Sequence, residues 1–119
     1  MEKTVEFRMQ IDGSIVSAFT GKGAQEGDRI IFSDDEGQTY RLQISDEEVR
    51  LYRTGKEELA ILFRTGMHSG GILKTEGLEF EMNVFTRSIT NKPTELILEY
   101  DLLDENEPVA RHLLTAKWQ

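Results

Sequence analysis

Two arginines close strand-like stretches in Arg-Thr-Gly triplets, Arg53-Thr54-Gly55 and Arg64-Thr65-Gly66, and their phases differ. Arg53 alternates with Val49 and Leu51 and so points to the apolar side, while Arg64 is out of phase with Leu59, Ile61 and Phe63. An inward guanidinium must meet a carboxylate or an anionic ligand, because stripping a buried charge of its partner costs about 3–5 kcal/mol. Glu76 or Asp101 could be that carboxylate at a rim of the domain. Arg53 is therefore the first candidate for a binding pocket. His112, Tyr40 and Tyr100 join it: Tyr40 is in phase with Leu42 and Ile44, and Tyr100 with Leu98. His112 faces inward if Leu114, Ala116 and Trp118 do, and outward if Val109, Leu113 and Thr115 do; periodicity leaves both open.

Catalytic and metal chemistry find little support in the same residues. With no cysteine and two isolated histidines, no zinc spacing exists, and no metal or cofactor is expected. His68 lies in a stretch read as a loop, Gly66–Gly70, where a lone histidine is ordinarily solvated. The runs Asp34-Asp35-Glu36-Gly37 and Asp104-Glu105-Asn106-Glu107 lack the ligand order of an EF-hand and read as turns. The glycine-rich segment Gly21 to Gly27 lacks the Gly-Lys-Ser/Thr ending of a phosphate loop and reads as a flexible connection. No nucleophile elbow occurs. A non-enzymatic protein is expected, with no catalytic residue.

Charge narrows the partners. The 119 residues carry 22 acidic and 14 basic side chains, a net charge of −8, which repels nucleic acid and anionic membranes alike. The N-terminal stretch MEKTVEFRMQ has no apolar signal core, and without cysteines or glycosylation acceptors the cytoplasm is the expected compartment.

The elements that must position these residues are strands. Val5, Phe7, Met9 and Ile11 alternate with polar residues, and Asp12-Gly13 then tolerates the positive φ angles of a type I′ hairpin into Ser14–Thr20. Further strands are read at Arg29–Ser33, Gln38–Ser45, Val49–Thr54, Glu58–Thr65, Gly71–Glu76, Glu79–Ile89, Glu95–Leu103 and Val109–Trp118, with at most one helical turn at Asp46–Arg50. Turns every 8–12 residues without βαβ units give an all-β fold: residues 1–119 as one domain, a single antiparallel meander β-barrel of about 8–10 strands. Closure between the first and last strands would remove both free edges.

The order Leu51-Tyr52-Arg53-Thr54-Gly55, the strand Leu59–Phe63, Leu73-Lys74-Thr75-Glu76-Gly77 feeding Glu79–Ile89, and Leu96-Ile97-Leu98-Glu99-Tyr100-Asp101-Leu102 carry a resemblance over Val49 to Trp118. The stretch resembles the YwiB-like, or DUF1934, family of bacterial proteins. That resemblance implies a calycin-like, lipocalin-like barrel, and it implies no activity, since a fold does not fix a function.

Two functional expectations follow. In the first, the interior or mouth of the barrel accepts a small, mostly apolar molecule, with Arg53, His112, Tyr40 and Tyr100 lining it. In the second, the inward residues, Val5, Phe7, Met9, Tyr40, Leu42, Ile44, Leu51, Phe63, Phe80, Met82, Val84, Leu98 and Tyr100, fill the barrel. Function would then lie outside, on a patch of Leu62, Phe85, Ile97 and Leu103 that meets a protein partner or forms a homodimer.

Overall fold

Asp12 and Gly13 take φ angles of 49° and 85°, so the chain reverses there in a two-residue turn of the primed kind that a right-twisted hairpin requires. The computed structural model describes residues 2–119, and the same geometry recurs twice, at Glu76-Gly77 (49° and 78°) and at Glu105-Asn106 (50° and 67°). Ten strands result: β1 (Glu2–Ile11), β2 (Ser14–Glu26), β3 (Arg29–Ser33), β4 (Thr39–Ile44), β5 (Glu48–Thr54), β6 (Glu58–Arg64), β7 (His68–Thr75), β8 (Leu78–Lys92), β9 (Glu95–Asp104) and β10 (Glu107–Trp118). Each pairs antiparallel with its neighbours in sequence, and β1 pairs with β10 from Val5↔Trp118 to Ile11↔His112, closing the barrel.

Because every strand reverses the one before, the turns after β1, β3, β5, β7 and β9 gather at one end, the mouth. The other turns, the start of β1 and the end of β10 gather at the base. At the base the inward residues interlock: Val5, Ile30, Val49, Phe63, Leu96, Ala116 and Trp118 are buried in one continuous core. Toward the mouth the wall is ragged. Leu78–Met82 of β8 pair only with β7, and Ser14–Lys22 of β2 pair only with β1, so two hairpins overhang the opening.

Three expectations change. Gly21 to Gly27 is not a loop: β2 runs through it to Glu26 and pairs with β3. Gly21 and Gly23 make this possible, since a Cβ on either would collide with the backbone carbonyl of Ser33 or Ile31. Asp46–Arg50 holds no helical turn. The Ser45 hydroxyl there accepts from the Glu48 N–H (3.1 Å) and donates to the Glu48 carbonyl (3.0 Å), and β5 begins at once. His68 begins β7, exposed, its ring 5.1 Å from that of Phe85, and is not in a loop.

Candidate functional site

The four sequence candidates lie on facing inner walls of the barrel as two cross-strand pairs. Tyr40 of β4 is in register with Arg53 of β5, and Tyr100 of β9 with His112 of β10. The last strand's phase is thereby decided: Leu114, Ala116 and Trp118 are buried, and His112 points in with them. Its ring stacks on Tyr100, with centroids 4.9 Å apart and planes 18° from parallel. All four border one cavity of about 290 Å³ in the mouth half, whose other walls include Met9, Leu59, Leu73 and Met82. It reaches the surface beside Val16, which is 57% exposed.

The barrel is thus filled at its base and hollow toward its mouth. Phe80, read as part of the filling, is 48% exposed, because it is in phase with Met82 and Val84 but sits on the overhanging part of β8. Trp118, packed at the base, reports on the fold and not on the cavity.

Arg53 is paired with neither Glu76 nor Asp101. Its Nη2 lies 3.4 Å from Glu57 Oε1, four residues on across the β5–β6 turn. Asp101 faces the outside of the barrel, where a bulge between Thr86 and Ser88 presents Arg87 to it; Arg87 Nε donates to both carboxylate oxygens (3.1 and 3.0 Å). That ion pair holds Arg87 firmly protonated.

Asp34 organises one lip of the mouth. Its carboxylate accepts from the N–H groups of Glu36 and Gln38 (both 2.9 Å), from Gln38 Nε2 (3.0 Å) and, at 3.5 Å, from the Tyr40 hydroxyl. Desolvation works to raise its pKa, but these hydrogen bonds together outweigh it and hold the carboxyl below its ordinary 3.8. The acidic run is an Asx-type turn that anchors a cavity residue.

Two polar atoms of cavity-lining residues, Arg53 Nε and His112 Nδ1, are buried with no side-chain hydrogen-bond partner and are closed off from the cavity. Burial pushes the His112 pKa below 6.5, against the pull of the Ala110 backbone and the Asp12 and Asp101 carboxylates, which favours the neutral imidazole. Burial likewise raises both tyrosines above 10, for Tyr40 with the Asp34 carboxylate adding to it.

Comparison with known proteins places this geometry. The family model for DUF1934, a domain of unknown function, matches residues 4–115. The chain belongs to the DUF1934 family. The DUF1934 barrel also superposes on the crystal structure of the ywiB protein from Bacillus subtilis, with a TM-score of 0.69 and 19% identity over 99% of this chain and 89% of that one. At that identity the likeness is one of fold. A search of curated proteins gave no match.

Sequence reasoning missed Glu57 as the partner of Arg53, the Asp34–Tyr40 contact and the Tyr100–His112 stack. Hairpin register was the available signal: a short turn at Ser45–Glu47 sets residue 40 opposite residue 53. The outer patch does not form as read. Leu103 is only 9% exposed and Phe85 is partly covered by His68, while Leu62 and Ile97 lie on β6 and β9, separated in the wall by β7 and β8.

Proposed function

We propose that this DUF1934 barrel is a non-enzymatic, calycin-like binding protein that takes one small, mostly apolar molecule into the mouth half of its interior. The observation that carries the reading is the shared cavity. About 290 Å³ lies just below the roughly 300–1,000 Å³ typical of small-molecule sites, and its walls are mainly apolar with a few convergent polar groups. The interlocked base supplies the rigid floor on which such a site depends.

Native mass spectrometry of the purified protein, before and after incubation with cell extract, tests it. A discrete added mass is expected for the native chain and its loss for Leu73→Trp, which fills the cavity from the wall. A monomer that retains nothing from extract, or a bound mass that Leu73→Trp leaves in place, overturns the reading.

A further inference from the structure

On its outside the barrel carries one face whose charge runs against that of the molecule. The outward residues of β3 to β7 include Arg29, Arg41, Arg50, Arg64 and Lys74 but only two carboxylates, Glu48 and Glu58, in a chain of net charge −8. Register sets the middle of that face in one row: Ile31 is opposite Arg41, Arg41 opposite Tyr52, Tyr52 opposite Ala60 and Ala60 opposite Ile72. Ala60 is a short side chain between two large ones, so the surface sinks along β6. Two open depressions of about 440 and 510 Å³ meet there, sharing Tyr52, Ala60 and Ile72. Together they form a groove over β6 from Glu58 to Leu62. At about 3.3 Å per residue it runs for about 13 Å, room for an extended segment of about five residues.

The groups that would meet a partner are open to solvent. Ile72 is 41% exposed, and the side chains of Arg50 and Lys74 are 47% and 57% exposed. Arg41, also exposed, holds its Cζ 4.4 Å from the centre of the Tyr52 ring and has no carboxylate partner among the described residues. Lys74 and Arg50 are paired only loosely, 3.9 Å from Glu79 and 3.7 Å from Glu48. A guanidinium steadied over an aromatic face is preorganised to fork onto a carboxylate. An open groove covers too little of a small molecule, whose sites bury about 70–90% of its surface, and suits a strip of chain instead. A second copy fits poorly: two such faces would set cations against cations, and head-to-tail contact leaves an open string of copies unless its rotation closes. We propose that the groove docks a short, extended, acidic segment of another protein, seating one apolar side chain over Ala60 between Tyr52 and Ile72 and presenting carboxylates to Arg41 and Lys74. It lies on the other side of the wall from the interior cavity and does not depend on that cavity being occupied.

Three blocked pentapeptides test both halves of the recognition: Glu-Asp-Phe-Asp-Glu, its uncharged counterpart Gln-Asn-Phe-Asn-Gln, and Glu-Asp-Ala-Asp-Glu, which lacks the apolar anchor. Each is titrated at low ionic strength into the full chain labelled at its isoleucine δ-methyl groups. Ile31 and Ile72 line the groove, and Ile15, 57% exposed on the β1–β2 hairpin, is the internal control. The first peptide is expected to move Ile31 and Ile72 and not Ile15, and to bind about tenfold more tightly than either of the others. Arg41→Glu should weaken it about tenfold. Ala60→Tyr fills the floor of the groove and should erase the advantage of phenylalanine over alanine. Arg41 is a solvent-facing strand position, so its variant keeps the test available if Ala60→Tyr fails to fold.

Equal binding of the charged and uncharged peptides, an affinity that Arg41→Glu leaves unchanged, or shifts at Ile15 as large as those in the groove overturn the acidic partner. So does tighter binding of oligothymidylate at the same methyl groups, which would make the face one for nucleic acid. Movement of Ile31 and Ile72 on concentrating the protein alone, abolished by Arg41→Glu, would assign the groove to a second copy and overturn it as well. None of these outcomes touches the interior cavity, whose own test is separate.

Discussion

The base and the mouth of this barrel are built from the same alternating pattern, yet only the base is packed. Phe63 and Phe80 show the difference: both are in phase with inward neighbours, but one is fully buried among β5, β6 and β9 residues and the other is 48% exposed on an overhanging hairpin. A two-residue period tells which way a side chain faces. How deep it sits depends on whether strands on both sides reach that level of the wall, and that is a property of register.

The sharpest way to break this contrast is to truncate both phenylalanines. Phe63→Ala is expected to cost about 3–5 kcal/mol in urea unfolding, and Phe80→Ala under about 1 kcal/mol. Equal losses would mean that the mouth is packed as tightly as the base.

The second test titrates the mouth pair. For His112 the folded pKa lies below the unfolded 6.5, so the unfolded chain binds the proton more readily: its contribution is intact above pH 6.5 and is lost as the pH falls below it. For Tyr100 the folded pKa lies above the unfolded 10.0, so stability is intact below pH 10 and falls as the pH rises past it. Urea midpoints should therefore decline on both sides, with His112→Phe flattening the acid limb and Tyr100→Phe the alkaline one. Limbs that both variants leave unchanged would show that neither ring is desolvated at the mouth.

The smallest expected effect sits at a mouth turn. Glu76 holds a φ of 49°, a region that disfavours glutamate and suits asparagine, so Glu76→Asn should raise stability by about 0.5–1 kcal/mol and leave ligand uptake unchanged. A neutral or destabilising result would show that the turn is constrained by more than its backbone angles.

Most of the fold was legible because its signals are local. Asp12-Gly13 specified its turn, and the alternation of Tyr40, Leu42 and Ile44 specified its face. Gly21 to Gly27 misled because glycine ordinarily marks a loop, whereas Gly21 and Gly23 serve the close approach of one strand's backbone to another. The site was legible in its members and illegible in its pairing. Arg53 had to find a carboxylate, but the choice of Glu57 over Asp101 follows from which face Asp101 occupies and from the Arg87 bulge that satisfies it there.

The seam between β1 and β10 has a kinetic consequence. The strands at opposite ends of the sequence are stitched together there, down to the reciprocal bonds from Thr4 N–H to the Gln119 carbonyl (2.9 Å) and from Gln119 N–H to the Thr4 carbonyl (3.1 Å). Contacts of such sequence separation form late, and during synthesis β10 is the last of the ten strands to leave the ribosome. Until then β1 and β9 each present an unpaired edge to other nascent chains. Met9 and Ile11 on one side of the seam and His112 on the other wall the same cavity. The cavity is therefore completed only when the ring closes, and a guest that binds it acts as a clasp on the finished barrel.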